Sequence, residues 1–134
     1  MLLEIDHHSG IPIYRQIKDQ IREQIMAGRL KEGEQLVSVR ELAAQLKVTP
    51  VTISKAYSAM EAEGLLERRR GIGLFIAKIH SDKKEQTKEE IIEVLLSKAV
   101  TTAIQFGLSH EKTEKMLKKI FLKYQKESGR ESDE

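Results

Sequence analysis

The segment Lys47-Val48-Thr49-Pro50 constrains this chain more than any other, because it joins two runs that both have helical character. Thr49 is a favourable N-cap and Pro50 a favourable first-turn residue, so a new helix starts as soon as the previous one stops. The earlier run, "LVSVRELAAQL", opens on an S-x-x-E capping box made by Ser38 and Glu41, and Leu42 and Leu46 fall on its apolar side. The later run extends to about Glu63 and meets Gly64, which can take the left-handed conformation of a helix exit. Two short helices joined by a three- or four-residue turn form a helix-turn-helix.

The flanking sequence extends this unit. Upstream, Ile13, Ile17, Ile21 and Ile25 recur at every fourth position, which predicts a helix entered at Pro12 and left at Gly28. Downstream, "LLERRRGIGLFIA" reads as a strand over 65–68, a turn over 69–73 and a second strand over 74–77. A hairpin directly after the second helix is the wing of a winged helix. The expected fold is therefore mainly α with one small β-hairpin: a winged helix-turn-helix domain over 1–79.

Helical geometry divides the second helix into two faces. Ile53, Ala56, Tyr57 and Met60 form its core face. Val51, Ser54, Lys55 and Ser58 point the other way, and Glu61 and Glu63 collect at the far end. In a helix-turn-helix the N-terminal part of this helix reaches base edges in the major groove. Lys55 can donate to guanine or to a phosphate, Ser54 and Ser58 can bond bases or phosphates, and Val51 can touch a thymine methyl. Thr52 lies beside the core face and suits a flanking phosphate. Arg40 is a candidate for a phosphate or a base, and Arg68, Arg69 and Arg70 with their glycines suit a wing that approaches a DNA backbone.

Charge agrees only locally. The formal net charge of the 134 residues is +2, with 12 Lys+Arg against 10 Asp+Glu in residues 1–79 and 11 against 11 in 80–134. The basic excess lies in the first part.

The polar stretch "HSDKKEQT", 80–87, is expected to be a linker. Thr87 and Glu90 form a second capping box, from which a helix runs to about Phe106 and leaves at Gly107. Ser109 can cap another helix. These make a two-helix tail over 88–127, followed by an expected disordered end over 128–134. The first tail helix is apolar almost all round, so it must be buried on several sides. The following helix can cover one side and a second subunit another. The expected dimer interface comprises Ile92, Leu95, Leu96, Ala99, Val100, Ala103 and Ile104, together with Leu117, Ile120, Phe121 and Tyr124.

Other functions find little support. "GIG" at 71–73 lacks the third glycine and following helix of a dinucleotide loop, and no catalytic constellation stands out. The chain is read as not an enzyme, with no cofactor. His7 and His8 are adjacent and so point apart on any strand, His80 falls in the polar stretch and His110 at a helix start, and without cysteine there is neither a cysteine-ligated zinc site nor a disulfide framework, so no metal site is expected. Lys98 falls near the middle of the most apolar stretch, which argues against a membrane span. No secretory signal is read at the N-terminus, and a cytoplasmic location is expected. The alternative to DNA binding is a winged-helix protein-interaction module.

"PIYRQI", "GRLKEGEQL" (28–36), "SVRELA" (38–43), "VTPVTISKAY" (48–57) and "EAEGLLERRRGIGLFI" (61–76) occur in one order and spacing. Together they resemble the N-terminal domain of GntR-family bacterial transcription regulators, over about residues 11–77. The proline-led recognition helix with "KAY", and the short tail of two helices, look like the YtrA-type branch. The resemblance implies a homodimeric regulator, expected to be a repressor, that binds an inverted-repeat operator in double-stranded DNA. It implies DNA contacts from Arg40, from the residues around Thr49, Pro50, Val51, Thr52 and Lys55, and from Gly71 beside Arg69 and Arg70. Three positions depart from the family: Val37 for a usual proline, Val51 for a frequent asparagine, and Leu74 for a usual threonine. A small-molecule effector of unknown identity is left open.

Overall fold

The computed structural model describes residues 2–132, with side chains through Ser128. The chain divides into two compact units, 1–88 and 89–134, and the division falls inside one helix.

The first unit is a winged helix-turn-helix. Helix α1 spans Ile13–Met26 and buries Ile17, Ile21 and Ile25. Pro12 sits at its N-cap, one residue earlier than expected. Helix α2 spans Val39–Leu46, and the Ser38 hydroxyl accepts the N–H of Glu41 at 3.2 Å. Lys47 then takes a left-handed conformation (φ 56°), and the Val48 N–H closes back onto the Ala43 carbonyl at 3.1 Å. Helix α3 spans Pro50–Ala62. Thr49 holds its N-cap position, but its hydroxyl bonds the Thr52 hydroxyl at 3.1 Å instead of a backbone amide. Gly64 terminates α3 at φ 81°, as the sequence requires of a helix exit.

The core is the meeting of the predicted apolar faces. Ile17, Ile21, Leu42, Ile53, Ala56 and Met60 are all but inaccessible to solvent. Tyr57 is buried with them, and its hydroxyl donates to the Val37 carbonyl at 2.7 Å. Burial pushes the Tyr57 phenol above the usual tyrosine range, because the charged form would lose its hydration.

The wing pairs β1 (Leu66–Arg69) with β2 (Gly73–Ile76) antiparallel, Leu66 opposite Ile76 and Arg69 opposite Gly73. Residues 33–36 run along the far side of β2. Gly33 N–H donates to Ile76 O, Ile76 N–H to Glu34 O and Leu36 N–H to Leu74 O, all within 2.8–2.9 Å. β2 is thus paired on both sides, with β1 on one and with residues 33–36 of the body on the other. Leu74 is buried in the core.

The N-terminal segment is held by a ladder of glutamines on α1. Gln20 accepts the Glu4 N–H and donates to the Glu4 carbonyl; Gln16 does the same for Asp6; Gln24 donates to the Leu2 carbonyl. Residues spaced by four share one helix face, so these amides stand in for a neighbouring strand. Leu3 and Ile5 pack partly against the core in consequence.

The stretch expected to be a linker is helical. Helix α4 spans Ser81–Gln105, so Thr87 lies within it and caps nothing. Its hydroxyl donates to the Lys83 carbonyl at 2.9 Å. Residues 80–87 contain neither glycine nor proline and are rich in Lys, Glu and Gln, which favour helix. Helix α5 spans His110–Ser132, with the Ser109 hydroxyl accepting the Lys112 N–H. The end expected to be disordered, 128–134, is helical through Ser132; 133–134 lie outside the described residues.

Candidate nucleic-acid interface

The outward face of α3 is open, as its periodicity predicts. Val51 is 75% exposed, and Ser54, Lys55 and Ser58 are exposed beside it. Pro50 is exposed at the first helical position, and Thr52 is half-buried through its bond to Thr49. No acidic residue occurs in the first turn of α3, so its positive dipole end is unopposed there. Arg40 is exposed on α2. Lys55 is the one cation of α3, and its Nζ lies 4.1 Å from the centroid of the Tyr14 ring.

The acids at the far end of α3 are paired. Lys18 Nζ reaches Glu63 Oε1 at 3.0 Å. The Arg68 guanidinium meets both oxygens of Glu61, Nη2 to Oε1 at 3.1 Å and Nε to Oε2 at 3.2 Å. This two-point contact fixes the base of the wing on α3 with geometric specificity.

The three arginines of the wing therefore differ. Arg68 is paired with Glu61 at the surface. The Arg69 guanidinium stacks 4.0 Å from the centroid of the Phe75 ring. Arg70 is exposed at the turn with Gly71 and Ile72. The turn needs its glycines: Gly71 has φ 75° and Gly73 φ 140°. Gln35 Nε2 donates to the Ile72 carbonyl at 3.0 Å, and a Cβ on Gly73 would lie 2.9 Å from that same nitrogen. Gln35 and Tyr14 were not singled out by the sequence. A lone loop glutamine and an aromatic in a first helical turn carry no local signal, because what they touch comes from other elements.

The second unit presents a different surface. Ile92, Leu95, Leu96, Val100 and Ile104 of α4 are exposed, as are Leu117, Ile120, Phe121 and Tyr124 of α5, with Ile104 at 70%. Ala99 is exposed and Ala103 is buried. Helix α5 packs little on α4, so it does not give the cover expected of it. A groove of about 800 Å³ opens between them, walled chiefly by Leu96, Val100, Ile104, Met116, Leu117 and Ile120.

Among the described residues no group of His, Asp or Glu is placed to hold a metal ion, and no helix is long and apolar enough to cross a membrane.

Comparison with known proteins matches residues 13–76 to the family described as bacterial regulatory proteins, gntR family. The transcriptional repressor YtrA of Bacillus subtilis (strain 168) is 36% identical over 119 residues, which cover 89% of this chain and 92% of that one. A GntR family transcriptional regulator from Listeria monocytogenes superposes with a TM-score of 0.74 at 32% identity, over 86% of this chain and 98% of that one. The DNA-binding domain of AraR, solved in complex with operator ORX1, superposes with a TM-score of 0.51 at 30% identity, over 56% of this chain and 96% of that one.

Proposed function

Because the chain belongs to the GntR family and is a DNA-binding transcription regulator, we propose that it acts as a repressor, binding an inverted-repeat operator as a homodimer. The observation that carries this reading is the outward face of α3, which is free of carboxylates through Ser58 and flanked by Arg40 and the wing. Thirteen residues of α3 span about 20 Å, enough to cross a major groove about 12 Å wide. Val51, Ser54, Lys55 and Ser58 supply the groove face, Arg40, Thr49, Pro50 and Thr52 its edge, and Arg69, Arg70 and Gly71 the wing contact.

The open apolar faces of α4 and α5 support the dimer. Contiguous exposed apolar surface of this kind marks an interaction site, and a two-fold pair of chains is the commonest way to cover it. Residues 1–88 then serve as the DNA-binding domain and 89–127 as the dimerisation tail. Two recognition helices related by a two-fold axis read an inverted repeat about one helical turn apart. The site of action is cytoplasmic, and the groove between α4 and α5 is the place for any effector. Repression fits a role named for the Bacillus relative.

Selection of bound duplexes from a random library, followed by titration of the selected sequence at several salt concentrations, tests the reading. A dimer that neutralises about eight phosphates gives a slope of log K against log salt of about −7. A pool without an inverted repeat, or a slope near zero, would overturn it.

A further inference from the structure

The sequence leaves Lys55 free to serve either a base or a phosphate, and Tyr14 decides between them. Tyr14 stands in the first turn of α1, half-buried and packed against the core, so its ring is fixed to the body of the domain. The Lys55 ammonium lies over that ring, drawn to the α1 side of α3. A cation held on a ring face keeps its charge and its remaining N–H donors, since the ring supplies only a quadrupole. The contact also favours one arrangement of the long lysine stem, which lowers the entropy lost on binding.

We propose that Lys55, on the α1 side of that groove face, is a phosphate anchor and that Tyr14 is its positioning residue, leaving base reading on α3 to Val51, Ser54 and Ser58. A compact ammonium suits a phosphate oxygen as a point charge, whereas guanine is best read by a ligand that extends along the groove and meets two acceptors. The proposal rests on the DNA-binding reading above and assigns labour within that surface.

The full-length chain and its variants are carried through selection from a random duplex library, then titrated against the wild-type consensus and against random duplex. Lys55→Ala is expected to select the same consensus, to lose affinity for both duplexes by the same factor, and to reduce the salt slope by about 1 for each protomer. Tyr14→Phe keeps the ring face and should bind like wild type. Tyr14→Leu keeps an apolar side chain but removes the ring face, and should weaken both duplexes about 2–5-fold for each protomer, the equivalent of one exposed cation–π contact. In a Lys55→Ala background, Tyr14→Leu should cost nothing more, an outcome that a merely structural role for Tyr14 does not give.

A consensus altered at one half-site position by Lys55→Ala would make Lys55 a base reader and overturn the proposal. Equal loss on Tyr14→Leu with and without Lys55 would remove Tyr14 from it. If the wild-type chain enriched no sequence at all, the operator reading itself would fall, which separates the two failures.

Discussion

Tyr57 and Val37 are joined by a 2.7 Å hydrogen bond from a buried phenol to a backbone carbonyl just ahead of α2. The contact ties the recognition helix to the segment that leads into the other half of the helix-turn-helix. Tyr57→Phe keeps the ring and loses the bond, and should cost about 0.5–1.5 kcal/mol in denaturant titration. Tyr57→Ala also opens a cavity and should cost about 3–5 kcal/mol.

The same phenol sets an alkaline limit. Its folded pKa is raised by burial, so the folded state holds a proton that the unfolded chain releases. The stabilisation is complete below the usual phenol value of about 10 and falls as pH rises past it. Stability measured from pH 8 to 11 should decline at the upper end, and Tyr57→Phe should flatten that decline. A decline identical in the variant would assign it to other groups.

Gly73 and Gln35 should control the wing without controlling the fold. Gly73→Ala places a Cβ against the Gln35 amide at a φ of 140°, which L side chains rarely adopt. Such strain costs about 1–3 kcal/mol. Gln35→Ala removes only the bond to the Ile72 carbonyl. Both variants should stay folded by circular dichroism and bind operator more weakly. Hydrogen exchange should quicken at the turn, and an unchanged turn would show that Gln35 does not hold it.

The glutamine ladder predicts a protected N-terminal segment. Gln20→Ala breaks two bonds to Glu4, at 2.9 and 2.6 Å. It should lower stability by about 1–2 kcal/mol and expose residues 2–6 to proteolysis before the rest of the domain.

The tail should determine assembly. Phe121 is 58% exposed, so Phe121→Glu should leave α5 intact in isolation. If its ring is buried between copies, the variant should sediment as a monomer and lose about 10²–10⁴ in affinity for a two-half-site duplex. Affinity for a single half-site should be unchanged.

Much of this was legible from local pattern. The isoleucines of α1 and the core face of α3 follow from spacing alone, and Gly64 and Gly107 mark helix exits because each sits at positive φ. The helix-turn-helix and the open face at Val51, Ser54, Lys55 and Ser58 were readable for the same reason. Features that depend on two distant elements were not. Gln16, Gln20 and Gln24 look like solvent-facing residues until the N-terminal segment is seen beside them. Residues 80–87 look like a linker because their composition is polar, yet polarity does not oppose helix where breakers are missing. The third strand-like segment at 33–36 has no alternation to betray it, and the difference between Arg68 and Arg70 depends on where Glu61 points.

That difference between adjacent arginines bears on how such a regulator finds its site in a chromosome. Arg68 is committed to Glu61 while Arg69 and Arg70 keep their charge free of any carboxylate, in a chain whose formal net charge is only +2. Loose cations hold a protein on any stretch of DNA, and a genome offers about 10⁶–10⁹ such stretches. A wing that keeps one of its three guanidiniums paired at home adds less to that indiscriminate grip. Fewer molecules are then detained on bulk DNA, and a smaller cellular pool suffices to keep a true operator occupied.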